Sequence, residues 1–136
     1  MENTKIVIKT KSKSYPIYFG DRILSAAGKI VKKRLPYVKK IAIISDKNIP
    51  SILLKKLSKS LKKYNLKIYK LSVSEKIKNF KVAYKLIENM LKNNFNRSDC
   101  VISFGGGILS DLSAFISSLI KRGVKFINIP TTLLAQ

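Results

Sequence analysis

The sequence has 136 residues, enough for one globular domain, and 46% of them are hydrophobic. No apolar run approaches the ~18 residues that a membrane-spanning helix needs. The opening residues, MENTKIVIKTKSKS, lack the apolar stretch of a secretory signal peptide. Cys100 is the single cysteine, which excludes an internal disulfide, so we expect a cytoplasmic protein.

Charge is the most unusual feature of the composition, because 28 basic residues stand against 7 acidic ones and give a net charge of +21. Such an excess is compatible with a nucleic-acid-binding module, since lysine and arginine neutralise phosphates. However, only four of the basic residues are arginines, the side chain that contacts phosphates in bidentate fashion. Because the lysines are dispersed along the sequence, we expect them on several polar faces and expect only non-specific binding of nucleic acid.

The predicted elements begin with two strands, Lys5–Lys9 and Tyr15–Phe19, which a polar turn joins into a β-hairpin. Pro16 favours an edge position for the second strand. Asp21 is the predicted N-cap of the first helix, whose length is about a dozen residues. The residues predicted to face the core are Ile23, Leu24, Ala27, Ile30 and Val31.

A buried strand is predicted at Lys40–Ser45, and polar residues follow it directly. Asp46 and Asn48 would lie at the carboxyl end of that strand, where ligands bind in open α/β sheets. The acid is suited to accept hydrogen bonds from a ribose, and a plain loop residue before the next helix is the alternative. Pro50 is predicted in the first turn of that helix, which reaches about Lys63.

The next strand is predicted at Leu66–Val73, and a long helix follows it. Ser74 is the predicted N-cap of this helix and Glu75 lies in its first turn, where neither residue needs a ligand to explain it. Residues predicted to face the core recur at spacings of three and four. They are Ile77, Phe80, Tyr84, Ile87, Leu91 and Phe95.

The last third of the sequence predicts a βαβ unit. The apolar run Val101–Phe104 is followed by three glycines and then by apolar residues at helical spacing. Ser110 is the predicted N-cap of this helix, Asp111 lies in its first turn, and Gly123 ends it. A second buried strand is predicted at Lys125–Ile129.

Strands and helices alternate after the hairpin, which is typical of a Rossmann-like α/β fold. We therefore predict a mostly parallel sheet with helices on both faces and an N-terminal β-hairpin. The sequence contains no internal repeat and no linker, so residues 1–136 are expected to form one domain.

Three consecutive glycines, Gly105, Gly106 and Gly107, mark a candidate anion site. Without a Cβ the backbone can approach a ligand closely, and the free N–H groups of a helix N-terminus suit a diphosphate. The alternative is a tight strand-to-helix turn that binds nothing. The glycines do not form the G-x-G-x-x-G pattern of dinucleotide-binding proteins, so they do not decide between the two interpretations.

Several segments together resemble the dehydroquinate synthase family of sugar-phosphate cyclases. They are SYPIYFGDRIL at 14–24, the glycines followed by Asp111 and Phe115, RGVKF at 122–126 and PTTLLAQ at 130–136. Glu75 and Lys78 also match the family's GExxK motif, with serine at its glycine position. The related glycerol dehydrogenases and iron-dependent alcohol dehydrogenases share a glycine turn and a nearby aspartate, but not the run PTTLLAQ.

The resemblance implies an NAD-dependent lyase of the shikimate pathway, which converts the sugar phosphate 3-deoxy-D-arabino-heptulosonate 7-phosphate to 3-dehydroquinate and phosphate. Arg122 either contacts the substrate phosphate of a neighbouring subunit, in a homodimer, or stabilises the end of its helix as a cation. The resemblance further implies that NAD is bound by Asp46, Asn48, Glu75, Lys78, Gly105, Gly106, Gly107, Ile108, Leu109, Ser110, Asp111, Thr131 and Thr132.

The resemblance covers only the first part of the family's sequence. Members continue with a GGK segment and a helical domain whose glutamate and two histidines hold zinc or cobalt, whereas this sequence contains 0 histidines. We therefore expect no metal ligand in residues 1–136, and catalysis only with a complementing C-terminal polypeptide. Ser110 and Ala114 also replace glycines of the family. A decayed, inactive fragment is the alternative.

Overall fold

The computed structural model describes residues 4–136, in which an antiparallel hairpin precedes a four-stranded sheet. The hairpin consists of β1 (Thr4–Lys9) and β2 (Ser14–Phe19). The larger sheet consists of β3 (Lys40–Asp46), β4 (Asn65–Leu71), β5 (Cys100–Gly105) and β6 (Lys125–Pro130). The α-helices of this part of the chain are α1 (Ile23–Arg34), α2 (Ser51–Ser60), α3 (Phe80–Lys92) and α4 (Gly107–Leu119). None of these helices is long and apolar enough to cross a membrane.

The strands of the larger sheet are all parallel and lie in the order β4-β3-β5-β6. β3 and β5 are therefore the central strands, and every residue of β5 is buried. Their continuous apolar runs, such as Ile41–Ile44, are typical of parallel strands that are covered on both faces. This arrangement confirms the predicted parallel α/β sheet and the predicted N-terminal hairpin.

Helices cover both faces of the sheet, as predicted, because alternate side chains of a strand point to opposite sides. Ile41 and Ile43 pack in one core cluster with residues of α1 and α2, among them Val31 and Leu57. Ala42 and Ile44 pack in a second cluster with residues of α3 and α4, which are Ala83, Leu86, Met90, Leu109, Leu112 and Ile116. The sheet therefore lies between two hydrophobic cores, one on each of its faces.

β6 differs from the prediction of a second buried strand. It pairs with β5 on one side only, within the residues that the structure describes, and three of its six residues are exposed. Ile127 and Ile129 alone pack against the core beneath α1 and α2, and they do so partly buried. Position at the sheet edge, rather than hydrophobicity, decides the burial of this strand.

The long helix predicted from Ser74 is interrupted in the structure. A short 3-10 turn spans Glu75–Ile77, and the backbone is then extended at Asn79 (φ −145°, ψ 158°) before α3 begins at Phe80. Asn79 is the N-cap of α3, because its side-chain oxygen accepts the N–H of Val82 at 3.0 Å. Ser74 makes no side-chain capping bond.

The predicted inward face of α3 is also wrong in part. Phe80, Tyr84 and Leu91 are exposed, by 81%, 65% and 42%. The buried face of the helix consists of Ala83, Leu86 and Met90. Phe95 is buried as predicted, and Ile77 and Ile87 pack against the core partly buried.

The beginnings of α1 and α2 are shifted relative to the prediction. Asp21 does not cap α1, because the N-cap position is occupied by Arg22 and no side chain bonds there. Instead Gly20 (φ 154°) turns the chain, and its carbonyl accepts the N–H of Ile23 at 3.2 Å. Pro50 likewise precedes α2 as its N-cap residue and is not part of its first turn.

The loop into β5 is held by a buried carboxylate. Asp99 is 2% exposed and accepts the backbone N–H of Lys40 at 3.2 Å and that of Asn96 at 2.9 Å. The Lys40 ammonium donates to the carbonyls of Asn93 and Asn94 at the end of α3. These contacts fix the amino ends of the two central strands.

Cys100 is fully buried at the start of β5, which gives a direct probe of unfolding. Burial, and secondarily the charge of Asp99, raises the pKa of its thiol to about 12. We expect iodoacetamide to modify Cys100 at pH 8 only as fast as the chain unfolds, measured by mass spectrometry. Because the unfolded thiol ionises near ~8.5, the unfolded state binds fewer protons above that pH, and stability should fall as pH rises further. Rapid modification of the folded chain would contradict this placement.

Candidate functional site

The two central strands mark the place where the chain changes direction across the sheet. After β3 the chain runs through α2 to β4 on one side, whereas after β5 it runs through α4 to β6 on the other. The loops at the carboxyl ends of β3 and β5 therefore diverge, and ligands of open α/β sheets bind in the crevice between such loops. Asp46 ends β3 and Gly105 ends β5, so predicted site residues border this crevice from both sides.

α4 begins directly at the crevice. Gly106 is its N-cap, and no side chain caps it. The N–H of Ser110 donates to the Gly106 carbonyl at 3.0 Å, so the amides of Gly107, Ile108 and Leu109 precede the first intrahelical bond. The prediction that Ser110 caps the helix is wrong, because the helix starts one turn earlier. Free amides and the positive end of the helix dipole together suit an anion.

The three glycines of the turn have different surroundings. A Cβ at Gly105 would lie 2.6 Å from the Leu109 side chain, and one at Gly106 would lie 3.3 Å from Thr132 Cγ2. A Cβ at Gly107 would meet no atom within 4 Å. Gly105 and Gly106 therefore serve the close packing of the turn, whereas Gly107 borders open space beside the first amides of α4.

Two threonines after β6 reach the glycine turn. Thr131 donates its N–H to the Gly105 carbonyl at 2.9 Å, which extends the pairing of β5 and β6 beyond Pro130. The Thr132 side chain lies against Gly106. Both threonines are exposed, so their hydroxyl groups are accessible to a ligand at the turn.

Asp46 lies on the other side of the crevice, partly buried at the end of β3. Its Oδ1 accepts the N–H of Asn48 at 2.8 Å, which closes a local turn and fixes the carboxylate. Lys47 donates its N–H to the Leu71 carbonyl at 2.9 Å and so ties this loop to the end of β4. A carboxylate held at this position can accept hydrogen bonds from ribose hydroxyls.

Lys78 and Asp111 form an ion pair that joins the segment before α3 to α4. The Lys78 Nζ lies 2.9 Å from the Asp111 Oδ2. This hydrogen bond raises the pKa of Lys78, and the charge of Glu75 acts in the same direction. Because both side chains are substantially exposed, the pair contributes little to stability. Glu75, Lys78 and Asp111 are all predicted NAD-binding residues, but the sequence did not indicate that Lys78 and Asp111 contact each other.

A shallow pocket lies beside this ion pair, between α3 and α4. It is lined by Lys78, Asn79, Phe80, Asp111, Leu112 and Phe115. The rings of Phe80 and Phe115 meet edge to face with their centroids 5.8 Å apart. Phe80 was predicted to face the core, because an aromatic residue at helical spacing gives the same pattern whether its face of the helix is covered or open.

Arg122 lies near the amino ends of the strands, whereas the crevice lies at their carboxyl ends. α4 has 13 residues, a length of ~20 Å, and carries the chain from the carboxyl end of β5 towards the amino end of β6. α4 ends at Leu119, earlier than the predicted end at Gly123, and a 3-10 turn follows in which Lys121 and Arg122 have positive φ. Gly123 (φ 110°) ends this turn. The structure therefore does not bring Arg122 to the other predicted site residues.

Comparison with known proteins identifies relatives over nearly the whole chain. The family model described as 3-dehydroquinate synthase N-terminal matches residues 68–136. The 3-dehydroquinate synthase of Pelagibacter ubique (strain HTCC1062) is 44% identical over 132 residues, and that of Thermoanaerobacter sp. (strain X514) is 37% identical over 133 residues. These alignments cover 97% and 96% of this chain but 36% and 37% of the relatives, so the chain spans little more than a third of their length.

Solved structures share the fold. A crystal structure of 2-deoxy-scyllo-inosose synthase has a TM-score of 0.88 at 21% identity, covering 97% of this chain and 37% of that one. The structure of 2-deoxy-scyllo-inosose synthase complexed with carbaglucose-6-phosphate, NAD+ and Co2+ has a TM-score of 0.87 at 21% identity, covering 97% and 36%. Glycerol dehydrogenase from Schizosaccharomyces pombe has a TM-score of 0.59 at 20% identity, covering 81% and 26%.

Proposed function

This chain belongs to the 3-dehydroquinate synthase family, and we propose that residues 1–136 are the NAD-binding domain of such an enzyme. The enzyme would convert 3-deoxy-D-arabino-heptulosonate 7-phosphate to 3-dehydroquinate and phosphate in the shikimate pathway, in the cytoplasm. One observation carries the cofactor assignment. The uncapped N-terminus of α4 opens, through Gly107, into the crevice where the chain changes direction across the sheet.

The predicted site residues fit a dinucleotide in an extended arrangement across this crevice. The diphosphate would accept hydrogen bonds from the amides of Gly107, Ile108 and Leu109. Asp46 would accept hydrogen bonds from the ribose on the adenosine side, with Asn48 beside it. The remaining contacts would come from the two threonines after β6 and from the group formed by Glu75, Lys78, Ser110 and Asp111.

When bound, NAD would supply the chemistry of reversible hydride transfer with a substrate hydroxyl. The residues of this chain would orient the cofactor for that exchange, because the amides of α4 are fixed by the helix and cost no reorganisation on binding. Lys78 is held by Asp111, four residues after the first residue of α4, and its charge would favour an anionic diphosphate at the start of that helix. Lys78 therefore acts as a positioning residue in this proposal.

Residues 4–136 do not fit the divalent metal of the family. They contain no group of three or more histidine, cysteine, aspartate or glutamate side chains that could hold an ion. Zinc or cobalt, and most contacts to the sugar phosphate, would belong to the part of the relatives with which this chain does not align, whether on one polypeptide or on a complementing one. In a homodimer, Arg122 would contact the substrate phosphate of the neighbouring subunit.

Thermal denaturation with two cofactors tests the proposal. NAD at ten times its Kd should stabilise the chain by about 1.4 kcal/mol and raise the melting temperature by several degrees. NADP should stabilise it far less, because its 2′-phosphate would meet the Asp46 carboxylate. Asp46→Asn should reduce this difference between the cofactors while leaving the melting temperature of the free protein nearly unchanged.

The result that contradicts the proposal is the absence of any shift with millimolar NAD, which is the outcome that a decayed fragment predicts. An equal shift with NAD, NADP and inorganic diphosphate would retain an anion site and remove the assignment of Asp46 to the ribose. Isothermal titration calorimetry with NAD distinguishes binding from a general salt effect on a chain of this charge.

A further inference from the structure

The charged residues of this chain are distributed unevenly, in contrast to the dispersed pattern expected from the sequence. Residues 22–74 contain 15 basic residues and a single acid, Asp46. Residues 75–136 contain nine basic residues and four acids. The first of these segments therefore carries most of the uncompensated positive charge.

The fold gathers nine of these 15 basic residues on one face. α1 and α2 lie side by side on the same side of the sheet, in contact near Gly28 and Ser60. The surface that they form, here called the α1–α2 face, exposes Lys29, Lys32, Lys33, Arg34, Lys55, Lys56, Lys59, Lys62 and Lys63. The ion pairs found among residues 4–136 join Lys78 to Asp111 and Lys92 to Glu88, so none of them neutralises this face.

A groove crosses the α1–α2 face between the two helices. It is lined by Ser25, Lys56, Lys59, Ser60 and Lys62. Three ammonium groups along a groove with two small hydroxyl residues offer donors to successive phosphates while leaving room for a sugar-phosphate backbone. The groove is open to solvent and its charged groups are free to move, which suits sequence-independent contacts rather than a single small ligand.

One aromatic residue stands beside this charge. Tyr37 follows α1, between Arg34 and Lys39, and is 83% exposed. An exposed ring at the end of α1, in the same basic segment of the chain, offers a surface on which a base of a single strand can stack. A lipid surface would call for several apolar side chains to insert, whereas α1 and α2 direct their leucines and Val31 into the core and leave Ile52 as their one exposed large apolar side chain.

We propose that the α1–α2 face binds single-stranded nucleic acid without sequence preference, with phosphates along the groove and a base stacked on Tyr37. α1 and α2 each end where the chain enters the amino ends of β3 and β4, away from the carboxyl edge that carries the crevice. The two sites are therefore separate, and nucleic acid should bind in the presence of NAD.

Fluorescence anisotropy with a labelled oligo(dT), measured over a range of salt concentrations, tests this assignment. The triple variant Lys56→Gln, Lys59→Gln, Lys62→Gln should lower the slope of log K against log salt by about 2, since each phosphate contact in a single strand contributes ~0.7. Tyr37→Ala should weaken binding at fixed salt by about fivefold or more. The matched control is Lys81→Gln, Lys85→Gln, Lys125→Gln, which has the same net charge but changes exposed lysines outside the face.

The control should keep the slope and affinity of the wild type, and all variants should melt within a few degrees of it. Equal losses in the two triple variants would overturn the proposal, because net charge alone would then explain binding. Failure to bind oligo(dT) at low salt would overturn it as well, and so would binding to anionic phospholipid vesicles in its place. Retained affinity in Tyr37→Ala would remove the stacking contact and favour duplex or purely electrostatic binding. NAD titration in the same samples separates this result from the cofactor proposal.

Discussion

Replacing Gly107 with valine is expected to weaken NAD binding about a hundredfold while changing the melting temperature by no more than about 2 °C. The fold should tolerate the change, because Gly107 is the first residue of α4 and a Cβ there meets no atom within 4 Å. The branched side chain would occupy the space beside the free amides. A diphosphate displaced from them would lose one or two charge-assisted hydrogen bonds, each contributing about 1.5–3 kcal/mol.

The measurement is calorimetric titration with NAD, and Ser118→Val is the matched control. Ser118 is exposed near the other end of the same helix, so this variant introduces the same side chain outside the crevice. It should bind NAD as the wild type does. If Gly107→Val also bound NAD normally, the diphosphate could not lie against the amides of α4, and the glycine turn would be only a tight connection.

The central βαβ unit could be predicted from the sequence because a single physical constraint dominates it. Val101–Phe104 has no charged residue, since β5 is covered on both faces, and the glycines that follow allow a sharp turn. The same reasoning placed Asp46 and the glycine turn at strand ends. Their position on two sides of one crevice depends on the strand order β4-β3-β5-β6, for which no prediction was made from the sequence.

Helix boundaries could not be predicted as well, because they depend on backbone angles at single residues. The apolar period from Ile77 to Phe95 continues through Asn79, and nothing in it reveals that Asn79 is extended and caps a new helix. α3 has two rows of apolar residues at helical spacing. One row consists of large residues and is largely exposed, and the other, which includes Ala83, is buried. The small residue lies inward because α3 packs against α4 at that point, which only the tertiary structure decides.

Contacts between segments distant in sequence were also inaccessible. The ion pair of Lys78 and Asp111 joins residues that the motifs marked separately. The basic α1–α2 face combines lysines of two helices, and the sequence does not show that these helices lie side by side. The close contact of α1 and α2 at Gly28 could not be predicted, because a glycine within a helical pattern ordinarily indicates only a small loss of helix stability.

Gly28→Ala is expected to destabilise the chain by about 3 kcal/mol and to lower its melting temperature by about 10 °C. In most helices this substitution does the reverse and stabilises by about 0.5–1 kcal/mol, because alanine loses less backbone entropy. Here the added Cβ would lie 1.9 Å from the Ser60 carbonyl oxygen and 2.8 Å from its carbon. Both atoms belong to the backbone, so relief requires α1 and α2 to move apart, which opens the core that contains Val31 and Leu57.

The experiment is decisive because the expected change in melting temperature is opposite in sign to that of Gly→Ala in most helices. Ser25→Ala is the control, because Ser25 is exposed on the same helix and alanine there should raise the melting temperature by up to about 2 °C. Thermal unfolding followed by circular dichroism compares the two variants. A melting temperature of Gly28→Ala at or above that of the wild type would mean that α1 and α2 do not touch through their backbones. Since that contact also brings the lysines of both helices onto one face, the same result would remove the structural basis of the nucleic-acid site.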